Sequence, residues 1–301
     1  MSAHVKRSPV AALGAGIIDG LQWRLWSLWV PISLLPTLVV ALPLWSALDD
    51  MTAHSVHAEA WARRFDGLFF SDALAALQRS TWTGSAFAAG VVLTLVLSPF
   101  LTGMVVAGGR AGRSLGFGAL LQGGAAEYGR LLRLLPLSLI PYGLMLLASR
   151  GAASFADDHG DVALLPSTAD LYRYGALALT LLCFAFAQAL VESARAQFIA
   201  DVTLRSSLMA FVRGVAQCMR RPFASLAVYL VITLLGAGLL VPVAAWRGHT
   251  VAVGGDGLVA FLIVQLGVVV VAWMRTARLL ALAGLAASPP RRRRTDFPTR
   301  A

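Results

Sequence analysis

The chain has 301 residues, 58% of them hydrophobic and only 13% charged, with a net charge of +10. A soluble domain carries about a quarter charged residues, so the deficit argues against a water-soluble domain and suits a chain whose surface faces lipid. With only two cysteines, Cys183 and Cys218, a disulfide scaffold is not indicated, and both read as small packing residues.

Residues 1–24 read as a short cytoplasmic lead. Six apolar runs follow, at 25–47, 84–107, 132–149, 172–191, 223–246 and 257–274. Each is long enough to cross a hydrocarbon layer of ~30 Å as a helix rising ~1.5 Å per residue. The expected fold is all-α, with one membrane domain over 25–286 and a basic tail over 287–301. The first run exceeds the h-region of a signal peptide and lacks an A-x-A site, so it is expected to stay in the chain. Trp23, Trp26, Trp29 and Trp45 stand at its ends, where indoles suit headgroup belts. Pro31, Pro36 and Pro43 within it each remove a backbone donor and predict kinks.

Between the first two spans, Trp61, Phe65, Leu68 and Phe69 recur at helical spacing among Glu59, Arg63, Asp66 and Asp72. This pattern predicts an amphipathic helix on the outer face. His54, His57 and Glu59, beside Asp49 and Asp50, are the densest set of metal-ligand types, but three or four ligands must converge to hold a metal. No metal or cofactor site is expected. In the second span, Ala86-x-x-x-Gly90 offers two small residues on one face for close helix approach.

After the second span the chain reads RAGRSLGFGALLQGGAAEYGRLLRLL from Arg110. Phe117, Leu121, Tyr128, Leu131, Leu132 and Leu135 fall on one helical face, opposite Gln122, Arg130 and Arg133. Five glycines weaken that helix by up to ~1 kcal/mol each. After the fourth span it reads ESARAQFIADVTLRSSLMAFVRGVAQCMRRP from Glu192. Here Leu208, Phe211, Val212, Val215 and Met219 share a face opposed by Arg213, Gln217 and Arg220. Ser206 or Ser207 is placed to cap the helix start, and Pro222 ends it. The syntax of span, basic amphipathic helix and span thus occurs twice, over 84–149 and 172–246. Both copies run the same way through the membrane, unlike inverted-topology repeats.

These two segments, with QLGVVVVAWMRTARLLALAGL from Gln265, resemble a group of uncharacterised six-helix bacterial inner-membrane proteins. The layout is also similar to the membrane-anchor region of some glycerophosphodiester phosphodiesterases. The resemblance covers roughly 84–285 and implies a fold and a location. No phosphodiesterase domain is attached, so it does not imply that activity.

The basic residues fix an orientation. With the N-terminus inside, 19 of the 25 Lys and Arg residues fall on the cytoplasmic side. The six outside are Arg63, Arg64, Arg79, Arg150, Arg173 and Arg247. This is the positive-inside pattern, and six spans then put both termini in the cytoplasm. Arg outnumbers Lys 24 to 1, as in proteins of GC-rich bacterial genomes. The expected location is a bacterial inner membrane.

Candidate functional residues are few. Gln188 and Gln265 are the most buried polar residues of the spans and are expected to bond across helices. Glu192, Arg195, Asp201, Arg275 and Arg278 lie near the inner boundary, where charges tend to pair. Arg110, Arg113, Arg130, Arg133, Arg213, Arg220 and Arg221 are expected to contact anionic phospholipid headgroups. Nucleic acid is not an expected partner, because the basic runs are short, tethered and without stacking aromatics. These observations predict a non-enzymatic protein that organises lipid or a membrane-protein partner. The alternative is a transporter or channel built on the parallel repeat.

Overall fold

The computed structural model describes residues 8–53, 55–56, 67–79, 81–163, 165–250 and 256–286. Among them every regular element is an α-helix. In chain order these are α1 (Pro9–Asp19), α2 (Trp23–Thr52), α3 (Gly67–Arg79), α4 (Thr81–Ala111), α5 (Phe117–Gly160), α6 (Pro166–Ala200), α7 (Ser207–Arg220), α8 (Pro222–His249) and α9 (Asp256–Ala286).

Six of them, α2, α4, α5, α6, α8 and α9, are long and apolar enough to cross a membrane. Each contains one of the six expected spans. The shortest has 28 residues, about 42 Å at 1.5 Å per residue. Large apolar side chains point outward along them, among them Leu139, Leu147, Leu181, Leu234 and Leu262. So much contiguous apolar surface suits lipid and not water. Helices also satisfy their own backbone hydrogen bonds, which a bilayer core demands. The first span is one uninterrupted helix despite Pro31, Pro36 and Pro43.

The chain forms two compact units. One comprises α1, residues 133–230 and the end of α9 from Ala277; the other comprises residues 20–132 and 231–276. In the first, Ala185 and Ala189 of α6 pack on Tyr229 of α8, flanked by Leu226 and Leu230. In the second, Gly90 of α4 brings that helix against α2: a Cβ on it would collide with a methyl of Val40. Of the Ala86-x-x-x-Gly90 pair, Gly90 thus marks a close approach.

The two basic segments fold differently from each other. The first joins its span to make the 44-residue helix α5. The second is the separate helix α7, and Ser206 caps it by accepting a hydrogen bond from the Met209 N–H at 3.3 Å. Only Arg221 separates α7 from α8.

The apolar faces read in the sequence are not the faces that pack against the protein. On α7 the buried stripe is Ser207, Ala210, Gly214 and Cys218. Leu208 and Met219, at 60% and 55% exposure, turn outward with Val212. On α5, Leu120, Glu127, Leu131 and Leu134 are buried, whereas Phe117, Leu121 and Leu132 are exposed. The physical reason is the solvent. In lipid, apolarity does not drive a side chain inward, and small residues that let backbones approach define the protein-facing side. A Cβ on Gly214 would lie 2.6 Å from the Ala194 Cα of α6. A Cβ on Gly124 of α5 would lie 3.0 Å from side-chain atoms of Phe100 and Met104 of α4. These two glycines are docking positions.

The outer amphipathic pattern is described only from Gly67, where α3 runs to Arg79 with Leu68 and Phe70 exposed and Ala73 buried. Trp61, Phe65, His54, His57, Glu59 and the tail Arg291 to Arg294 lie outside the described residues.

Candidate functional site

The chain has three glutamates. Two of them, Glu127 and Glu192, are buried, and each opens an E-x-x-R sequence: Glu127-Tyr128-Gly129-Arg130 and Glu192-Ser193-Ala194-Arg195. Each also meets a second arginine from another helix.

In the second unit, Arg110 at the end of α4 places Nη1 2.6 Å from Glu127 Oε1. Arg130, one turn after Glu127, places its own Nη1 3.2 Å from Oε2. Both guanidiniums close on one carboxylate. Glu127 had not stood out in the sequence, where it is hidden among glycines and alanines. The signal that could have found it is the recurrence of E-x-x-R at the only two glutamates near a span.

In the first unit, Arg278 of α9 places Nη2 2.9 Å from Glu192 Oε1. Both side chains are at least nine-tenths buried. The Arg278 guanidinium also lies over the Tyr229 ring, 4.9 Å from its centroid, a cation–π contact. Arg195 is half-buried, and its charge is felt by Glu192, Tyr142 and Arg278. Gln188, also half-buried, lies one turn before Glu192, so Gln188, Glu192 and Arg195 share one stripe of α6.

The expected ionic cluster therefore divides. Glu192, Arg195 and Arg278 come together. Asp201 turns instead to Arg213, with Nη1 to Oδ2 at 2.7 Å, and accepts hydrogen bonds from the Thr203 hydroxyl and N–H at 2.6 and 3.0 Å. The Thr203 hydroxyl and then Arg213 hold the Asp201 carboxyl below its usual range. Arg275 donates to the Ser98 hydroxyl at 2.8 Å and lies over the Trp29 ring.

The span amides also differ from expectation. The Gln265 carbonyl oxygen is buried with no hydrogen-bond partner among the described residues. The cross-helix amide bonds come from Gln197 and from Gln217, which the sequence placed only on the polar face of its helix. Gln197 of α6 donates to Gln217 of α7 at 2.6 Å, and Gln217 donates to the Leu282 carbonyl of α9 at 3.1 Å. Beside them Cys218 donates to the Ser193 hydroxyl at 3.3 Å, and burial pushes its thiol above the usual range. Burial and a raised pKa make an unreactive thiol.

Of the arginines expected to touch lipid, Arg110 and Arg130 are engaged by Glu127 and Arg213 by Asp201. Arg113, Arg133 and Arg220 are exposed and Arg221 is half-buried. A groove of about 670 Å³ runs between α2 and α4. Its two α2 hydroxyls, Ser33 and Thr37, bond carbonyls of their own helix, so it presents chiefly methyl and methylene groups. No group of three or more His, Cys, Asp or Glu gathers among the described residues.

The chain matches no protein-family model, no curated protein and no solved structure. Its six-span helical layout stands without a family assignment.

Proposed function

We propose that this polytopic protein resides in a bacterial inner membrane and gathers anionic phospholipid, and through it partner proteins, at its cytoplasmic face. The observation that carries the reading is the seating of α7. Small residues dock the helix on α6. Leu208, Met209, Val212 and Met219 face away from the protein, Phe211 and Val215 are half-buried, and Arg205 and Arg220 are exposed at the two ends of the helix. It passes through Arg221 directly into a spanning helix. A helix so placed lies in the interface, with its apolar face in acyl chains and its cations among headgroups. Each such cation contributes about 1 kcal/mol at an anionic surface. The positive-inside distribution supports the orientation.

A non-enzymatic role is supported by how the buried polar groups are used. Glu127, Glu192, Gln197 and Gln217 each tie one helix to another. The test is lipid analysis of the full-length protein extracted with its native lipid. Wild type is expected to carry more anionic lipid than the bulk membrane. The variant with Arg205→Gln, Arg220→Gln and Arg221→Gln should lose that enrichment. An unchanged lipid profile in a folded triple variant would remove the reading.

One observation favours the transporter or channel alternative. The Gln265 carbonyl, buried without a hydrogen-bond partner among the described residues, is the kind of group that a water or a permeant species could satisfy.

A further inference from the structure

We infer that Arg195, Glu192 and Arg278 form a binding site for a phosphate group. The two E-x-x-R clusters share a composition, one buried carboxylate and two guanidiniums, but not a geometry. Around Glu127 both arginines lie within ion-pair distance of the carboxylate, and the cluster is closed. Around Glu192, Arg278 lies within that distance. Arg195 feels the charges of Glu192 and Arg278, yet among the described residues it makes no hydrogen bond or ion pair of its own.

The charge balance then asks for an anion. Arg278 and Glu192 cancel, and Arg195 adds one positive charge beside a pair withdrawn from water. An uncompensated charge in such surroundings is costly, and an oxyanion placed against Arg195 removes the cost. The guanidinium fork matches phosphate in bidentate fashion. Tyr142, near enough to couple with Arg195, carries a hydroxyl donor, and Gln188, one turn before Glu192 on the same stripe, carries an amide donor. Arg278 is held by Glu192 and by the Tyr229 ring, so the site has a fixed wall.

The depth of the site points to lipid as the source. Helix α6 has 35 residues, about 52 Å, against a hydrocarbon layer of ~30 Å. Arg195 stands in its last turns, within reach of headgroup phosphates. The inference deepens the lipid reading and rests on it only for the source of the phosphate.

The test uses full-length protein in a neutral detergent, titrated separately with phosphatidylglycerol, inorganic phosphate and diacylglycerol, and followed by native mass spectrometry and melting temperature. Phosphatidylglycerol should bind and raise the melting temperature, and diacylglycerol should do neither. Arg195→Gln should weaken phosphatidylglycerol binding by about tenfold or more, as expected for one lost charge-assisted hydrogen bond. Arg195→Lys, which keeps the charge but not the fork, should fall between. Binding of inorganic phosphate alone, with the same dependence on Arg195, supports the site with a free anion as its ligand. Wild-type protein that binds neither phosphate probe overturns the inference whatever the variants do. So does undiminished phosphatidylglycerol binding in a folded Arg195→Gln protein. The surface reading stands or falls separately, on Arg205, Arg220 and Arg221.

Discussion

Arg213 on α7 reaches back to the Asp201 carboxylate at 2.7 Å and closes the turn from α6 to α7. The turn from α4 to α5 is closed by Arg110 and Glu127 at 2.6 Å, with the charges exchanged. There the cation ends the span and the anion sits on the following helix. Each basic segment is thus clasped to the span before it by an ion pair and by close glycine contacts, Gly103, Gly123 and Gly124 between α4 and α5 and Gly214 between α6 and α7. The repeat seen in the sequence as a pattern of spans and basic faces is also a repeat of this clasp.

The Asp201 clasp predicts a pH dependence. The folded carboxyl titrates below the usual aspartate value of about 3.9, because the Thr203 hydroxyl and Arg213 favour its charged form. Its contribution is therefore fully present above that value and is lost as pH falls through the lower, folded value. The pair is partly exposed, so its worth is modest, about 0.5 kcal/mol. Asp201→Asn should be slightly less stable than wild type at pH 7 and indistinguishable from it near pH 2. Melting in detergent at the two pH values checks this. An equal deficit at both would show that the charge is irrelevant.

A larger loss is expected at Glu192–Arg278. Removing one partner leaves the other charge buried, at a cost of about 3–5 kcal/mol. Arg278→Leu alone should be strongly destabilised or poorly expressed. The double variant Glu192→Leu with Arg278→Leu should recover part of the loss, since it strands neither partner of the pair and leaves only the half-buried Arg195 without the carboxylate it is coupled to. A double-mutant cycle on detergent-solubilised protein reads the coupling. If the double variant were as unstable as the sum of the singles, the pair would not be coupled.

The spans are legible in the sequence because a bilayer imposes length and apolarity on each segment independently of its neighbours. The packed faces are not, because in lipid the apolar stripe of α7 and its docking stripe are different stripes. Leu208 and Met219 carry the hydrophobic signal, whereas Ala210 and Gly214 carry the contact. The ion pairs were half legible. Glu192 stood out beside a boundary, but Arg275 and Arg278, both basic and on one helix, could not be told apart by spacing. The structure gives Arg278 to Glu192 and Arg275 to Ser98.

Glycines read alike in the sequence should separate by experiment. Gly129 of α5 has open space where a Cβ would go, whereas Gly214 faces the Ala194 backbone. Gly129→Ala should stabilise by up to ~1 kcal/mol through helix propensity. Gly214→Ala should destabilise by about 1–3 kcal/mol through overpacking and loosen α7. Hydrogen exchange across 207–220 is expected to quicken in the Gly214 variant only. Unchanged protection of α7 there would mean that the helix is not docked through this glycine.

An orientation with the basic segments inside, expected from the positive-inside pattern, makes a prediction for whole cells. Reporter fusions after residues 20, 120, 210 and 290 should read cytoplasmic, and those after 65, 160 and 250 should read external. The Lys and Arg asymmetry sets the orientation, and six spans carry it through the chain. One reproducible reversal at an internal site would break the six-span topology.

Gln265 distinguishes the two functional readings. Its carbonyl oxygen is buried without a partner among the described residues, and such a group costs about 1–3 kcal/mol. If its place in α9 is structural, Gln265→Leu removes that cost, and the melting temperature in detergent should rise. Vesicles carrying wild-type protein should then pass no more ion than empty ones. A transporter needs groups in its spans that replace water around the solute, and a buried amide oxygen is one. In that case the same substitution should abolish a measurable flux without lowering expression. A stabilised, silent Gln265→Leu protein supports the lipid-organising role. A flux lost on Gln265→Leu replaces that role with transport.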